Sequence, residues 1–186
     1  MGIWDALDVA RSAVLGLSLG GMIAMQLALD QPRRVSRIVA ADCRSDAPEA
    51  FRAMWPQRRA LLCDGGLAAV ADATLPTWFT PATLAAYPPF VAQVRAMIEG
   101  TSEAGYIGAT RALERLDLKP RLGDIRCPTR FIVGEADGVH PAAMREMRAL
   151  VPGASLVEIA GAAHLSNVEQ PAAFEAAVMA FLEDGA

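Results

Sequence analysis

Three side chains in this sequence, Ser18, Asp137 and His164, are of the types that together carry out acyl transfer through a serine nucleophile. A serine hydroxyl attacks poorly until a base lies within hydrogen-bond reach, most often a histidine, and that histidine needs a carboxylate to fix its tautomer. Ser18 is the centre of Gly16-Leu17-Ser18-Leu19-Gly20-Gly21, with an apolar strand stretch (Ala13 to Leu15) before it and an apolar helical stretch (Met22 to Leu29) after it. This is the pattern of a nucleophile elbow. The sharp turn from strand to helix holds the serine in a strained conformation, and the flanking glycines are expected because side chains there would collide. At the start of the helix, the macrodipole and the Leu19 amide are placed to stabilise a developing oxyanion.

The chain offers two histidines as the base. His164 lies in Gly161-Ala162-Ala163-His164, just past an expected strand, on the rim where ligands gather in such sheets. His140 precedes Pro141 at a helix start and reads as a surface residue. Asp137 follows another strand through Gly134-Glu135-Ala136 and reaches the same rim, although Asp137-Gly138 is also a good turn dipeptide. Glu135 is the rival acid. It stands nearer the strand and reads as a member of a structural ion pair.

The elements that must position these groups alternate. A helix end over 3–10 precedes a strand over 13–17, a helix over 20–30, a break at Pro32 and a buried strand from Val35 to Ala41. From Asp46 to about Pro120 the pattern becomes Ala-rich and helical, interrupted by Pro48, Pro56, Gly65-Gly66, Pro76, Pro81, Pro88-Pro89 and Gly100. The alternation resumes with a strand over Thr129 to Val133, a helix from Pro141 to Leu150 and a strand from Ser155 to Ile159. In the last helix Phe174, Val178, Phe181 and Leu182 form one stripe, and Ser166 or Asn167 with Glu169 or Gln170 supplies a capping-box spacing. The expectation is an α/β core from 1–45 and 120–186, with a parallel sheet covered on both faces, and a helical cap inserted over 46–119.

Composition narrows the function classes. The chain has 186 residues, a hydrophobic fraction of 53% and a net charge of −4, which fits one compact unit. Lys119 is its only lysine and no basic tract occurs, which argues against a nucleic-acid partner. Cys43, Cys63 and Cys127 are odd in number and lack metal-ligand spacing, so they read as reduced core thiols of a cytoplasmic protein with no metal site. No cofactor motif is present. Ala13 to Leu29 is uncharged, but its glycines, Gln26, and the preceding Asp5 and Asp8 argue against a membrane span or signal peptide.

These motifs also resemble a known family. Gly16 through Met22, Pro128-Thr129 through Asp137, and Ala163-His164-Leu165-Ser166-Asn167-Val168-Glu169-Gln170-Pro171 resemble the α/β-hydrolase superfamily, including the chain order of Ser18, Asp137 and His164. Ala71 through Pro81, with Gly105-Tyr106 and Asp117-Leu118-Lys119-Pro120, looks like the 3-oxoadipate enol-lactonases. The resemblance implies an α/β-hydrolase fold with a helical cap, and cofactor-free hydrolysis of an enol-lactone to an open-chain keto acid in aromatic-compound breakdown.

Two departures stand out. Where those lactonases usually carry an Asn-Thr-Ala type sequence, this chain reads Asp42-Cys43-Arg44-Ser45-Asp46-Ala47. Arg44 there offers a bidentate partner to a substrate carboxylate, or else lies on the surface, and Trp78 is either a pocket wall or simple core. Family members also carry several strands ahead of the elbow, including the one whose loop donates a second oxyanion amide, and loss of such a donor costs about 10²–10³ in rate. The alternative expectation is therefore a non-catalytic or incomplete half whose exposed elbow-strand edge pairs with another copy of the chain.

Overall fold

The computed structural model describes residues 2–184. Four apolar runs form β1 (Ser12–Leu17), β2 (Val35–Ala41), β3 (Thr129–Gly134) and β4 (Ser155–Ile159), which lie in that order in one sheet. All neighbours are parallel, with Leu15 opposite Val39, Ala40 opposite Phe131, and Phe131 opposite Leu156. Every strand therefore ends at the same rim.

Parallel strands need both faces covered, which is why β2 and β3 are nearly continuous in apolar residues. On one face, α2 (Leu19–Asp30), α7 (His140–Leu150) and a 3-10 turn (Lys119–Asp124) bury Met25, Leu122, Met144 and Met147 against Ile38 and Phe131. On the other face, α9 (Pro171–Glu183) places Val178 and Phe181 on Val39, Ile132 and Ile159. Each such side chain contributes about 1.5–3 kcal/mol when fully buried. Cys43 is buried as expected, whereas Cys127 is half-buried and Cys63 exposed, so the last is no core thiol; all three are free.

The N-terminal helix is shorter than the sequence suggested. α1 (Gly2–Ala6) ends before Asp8, which takes a left-handed φ of 53°. Beyond the outer edge of β1, no further strand pairs with it among the described residues.

A helical layer separates β2 from the 3-10 turn: α3 (Glu49–Trp78), α4 (Pro81–Ala86), α5 (Pro89–Glu99) and α6 (Glu103–Glu114). Pro56 and Pro76 lie inside α3 and do not end it, contrary to the breaks expected there; the discontinuity is at Gly66, with φ 67° and ψ −167°. Arg58 Nη1 nevertheless donates to Thr74 Oγ1 at 2.6 Å. A straight helix would set those residues about 24 Å apart, so the two halves of α3 fold back on each other at Gly66. The layer has its own core, including Leu62, Val70, Leu75, Phe79, Val91 and Ile98. Its two ends meet where Asp46 bridges Asp117 and the Leu118 amide donates to Ser45 O at 2.7 Å.

The expected capping box near α9 does not form. A one-turn α8 (Ser166–Glu169) precedes it, and the N-cap residues, Leu165 and Gln170, make no side-chain cap hydrogen bond. Ser166 and Glu169 are used in tertiary contacts instead. No helix among the described residues is long and apolar enough to cross a membrane.

Candidate active site

The elbow is built by backbone crowding between β1 and α2. A Cβ on Gly16 would stand 2.1 Å from the Gly20 carbonyl, and one on Gly21 would stand 2.9 Å from Cys43 Sγ. Gly20 differs from the expectation, since nothing lies within 4 Å of the Cβ position there. Ser18 takes φ 53° and ψ −117°, a strained conformation for a residue with a side chain, and its amide donates to Ala41 O at 2.8 Å. Leu19 opens α2, so its amide is a first-turn donor without an intrahelical acceptor.

Because β1, β3 and β4 all end at one rim, the loops that follow them converge. His164 Nε2 lies 2.9 Å from Ser18 Oγ, and His164 Nδ1 lies 2.9 Å from Asp137 Oδ2. The arrangement fits a tautomer in which Nδ1–H donates to the carboxylate and Nε2 accepts from the hydroxyl. Asp137 is buried, which alone would raise its carboxyl, yet hydrogen bonds from His140 and His164 hold it below the usual carboxylate range. Glu135, the rival acid, is exposed. The close approach of the two loops depends on Gly134, where a Cβ would stand 2.1 Å from Ala163 O.

Trp78 ends α3 above this site, its ring stacked on the His164 imidazole at 6.0 Å between centroids and 28° between planes. Its carbonyl accepts from the Leu165 amide at 3.2 Å. Arg44 is buried and not on the surface. Its Nε donates to Asp46 O at 2.7 Å, its Nη2 to Asp46 Oδ1 at 3.2 Å, and its guanidinium lies 4.7 Å from the Phe51 ring centroid. Among the described residues no hydrogen bond joins it to Ser18, Asp137 or His164.

Three supporting groups escaped the sequence reading. Asp42, at the end of β2, is fully buried with φ 44°; its Oδ1 accepts from the Gly134 amide at 2.8 Å and its Oδ2 accepts from Ser166 Oγ. Burial pushes its carboxyl up to about 6, against the opposing pull of these hydrogen bonds. Glu169 Oε1 accepts from the Thr80 amide and hydroxyl at 2.9 and 2.8 Å, and its Oε2 accepts from the Ala163 amide at 2.6 Å. His140 is half-buried, and its Nδ1 lies 3.2 Å from Asp137 Oδ1. The available signals were an acid at the end of a buried strand, for Asp42, and the i, i+3 spacing from Asp137, for His140.

A sequence model of the alpha/beta hydrolase family matches residues 3–177. The chain belongs to that family. Its relatives include 3-oxoadipate enol-lactonase 2 of Acinetobacter baylyi, 31% identical over 179 residues that make up 96% of this chain and 66% of that protein. A relative from Pseudomonas syringae named for carbamate hydrolysis is 28% identical over 186 residues, covering 98% of this chain and 71% of its own length. The crystal structure of the enol-lactonase from Burkholderia xenovorans superimposes with a TM-score of 0.91 at 32% identity, over 97% of this chain and 68% of that one. This α/β hydrolase thus spans about two thirds of the length of the curated enol-lactonases it matches.

Proposed function

We propose that this α/β hydrolase is a serine hydrolase acting on a small lactone or ester, most like an enol-lactone. The observation that carries the reading is the unbroken path from Ser18 Oγ through His164 Nε2 and Nδ1 to Asp137 Oδ2, with 2.9 Å at both hydrogen bonds. Ser18 Oγ bonds to the substrate carbonyl carbon while its proton passes to His164 Nε2, and Asp137 stabilises the imidazolium. The Leu19 amide supports the oxyanion. Collapse breaks the ring C–O bond, and the leaving oxygen takes the proton back from His164. Water, giving its proton to the same nitrogen, then bonds to the acyl carbon, and the C–Oγ bond breaks as Ser18 Oγ takes that proton, releasing the acid. For an enol-lactone the freed enol tautomerises to a ketone. Trp78 walls the pocket on the side of the helical layer, which acts as a cap over a cytoplasmic small-molecule site.

A fluorophosphonate probe tests the mechanism: labelling of the folded protein and its loss in Ser18→Ala is the expected result, and an unlabelled, cooperatively folded wild type overturns it. Parallel turnover assays on an enol-lactone, p-nitrophenyl acetate and a simple carbamate distinguish the acceptor class. Faster carbamate cleavage would replace the lactone reading.

A second reading is favoured by the edge of β1, beside which Leu15 is 49% exposed and Ile3 and Leu7 more so. Under it the chain is a non-catalytic module in which two copies pair along β1. Sedimentation at micromolar concentration separates the two: a labelled monomer removes this reading, and an unlabelled dimer favours it.

A further inference from the structure

Asp137 is held by two imidazoles. His164 Nδ1 lies 2.9 Å from Oδ2 and His140 Nδ1 lies 3.2 Å from Oδ1, and the two rings have centroids 5.1 Å apart at 44°. Ligating atoms of the three residues all fall within 4.8 Å of one another. Zinc bonds of about 2.0–2.1 Å in a tetrahedron set neighbouring ligands roughly 3.4 Å apart. Both carboxylate–imidazole separations are near that value but run to different oxygens, so a single ligating oxygen requires the carboxylate to turn as the two rings draw together. The side chains of Asp137 and His164 are 4% and 8% exposed, while His140, at 17%, is the most open of the three.

We propose that Asp137, His140 and His164 form an inhibitory site for a dication of the zinc type, with water completing the coordination. Two imidazole nitrogens and one carboxylate oxygen suit zinc and cobalt(II), and suit magnesium and calcium poorly. Ordinary Asp–His pairing offers two donors; His140 makes the third. When the metal takes the Nδ1 lone pair of His164, the proton that Nδ1 carried moves to Nε2. No bond to Ser18 breaks and no net proton is lost from the imidazole. Nε2 then donates to the hydroxyl and has no lone pair to accept its proton, so the base is switched off in place.

The metal site stands on its own geometry, whereas inhibition rests on the serine-hydrolase reading, and two measurements keep them apart. Cobalt(II) titration of the metal-free protein, read by its visible absorption, reports binding; fluorophosphonate labelling with and without zinc chloride reports inhibition. One equivalent is expected to bind in wild type, in Ser18→Ala and in Cys63→Ser, and His140→Asn is expected to weaken binding at least about tenfold. Zinc that stops labelling of the wild type should leave His140→Asn labelled at its own metal-free rate. His140→Gln, paired with thermal melts, distinguishes a lost ligand from a lost fold. Binding that is unchanged in a folded His140 variant, or that disappears in Cys63→Ser, overturns the site. Binding without any labelling, even in metal-free buffer, overturns only the hydrolase reading.

Discussion

Ser166 Oγ donates to Asp42 Oδ2 across 124 positions of sequence, so the segment carrying His164 is fastened to the C-terminal end of β2. The other oxygen of the same carboxylate holds the Gly134 amide, three residues before Asp137. One buried side chain thereby braces the loops that carry His164 and Asp137. It is a positioning residue, since among the described residues its hydrogen bonds go to Gly134 and Ser166 and not to Ser18.

That position makes stability pH-dependent. The Asp42 carboxyl rises to about 6 on folding from 3.8, so the folded state binds the proton more tightly. Its contribution is fully present below pH 3.8 and is lost as pH rises through 6. A shift of about two pKa units corresponds to about 3 kcal/mol. Asp42→Asn keeps an acceptor for the Gly134 amide and removes the charge. Urea melts should show it more stable than wild type at pH 8, with the advantage shrinking toward pH 4; an equal difference at both pH values would refute the charge argument.

Ser18 holds a positive φ that strains a residue with a side chain. Glycine tolerates φ 53° without penalty, so Ser18→Gly should raise stability by about 1 kcal/mol, or about 2–4 °C in melting temperature, while abolishing fluorophosphonate labelling. A lower melting temperature than wild type would show that the elbow is not strained.

Two of the three glycines of the elbow, Gly16 and Gly20, should respond in opposite ways. Gly16→Ala forces a Cβ into backbone 2.1 Å away and should cost several kcal/mol, visible as loss of soluble folded protein. Gly20→Ala meets nothing within 4 Å and lies in α2, where alanine is favoured by about 1 kcal/mol, so calorimetry should find it neutral or stabilising.

Glu169 joins two layers through three hydrogen bonds. Glu169→Ala should lower stability by about 2–4 kcal/mol, because the Thr80 and Ala163 amides lose their charged acceptor. Turnover should fall through kcat more than KM, since the displaced loop carries the base. A change confined to KM would place its role in substrate contact instead.

The sheet and the rim positions of Ser18, Asp137 and His164 were legible because strand runs and the residues that follow them are local patterns, and a parallel sheet sends all strand ends to one side. What holds those residues in place was not. Asp42 finds Ser166, and Glu169 finds Thr80 from 89 positions away, so neither side chain announces its partner by spacing. For the same reason the capping box misled, since Ser166 and Glu169 gain more from tertiary acceptors and donors than from closing a helix end. Pro56 and Pro76 suggested breaks that packing of the helical layer overrides, and Gly20 was credited with a crowding that only Gly16 and Gly21 experience.

Glu169 has one further effect. The same carboxylate grips Thr80 at the start of α4 and the amide immediately before His164, so it ties the helical layer to the loop of that histidine. A displacement of α4 is therefore passed through a single side chain to the backbone that carries His164, so the helical layer and the histidine loop share one point of attachment.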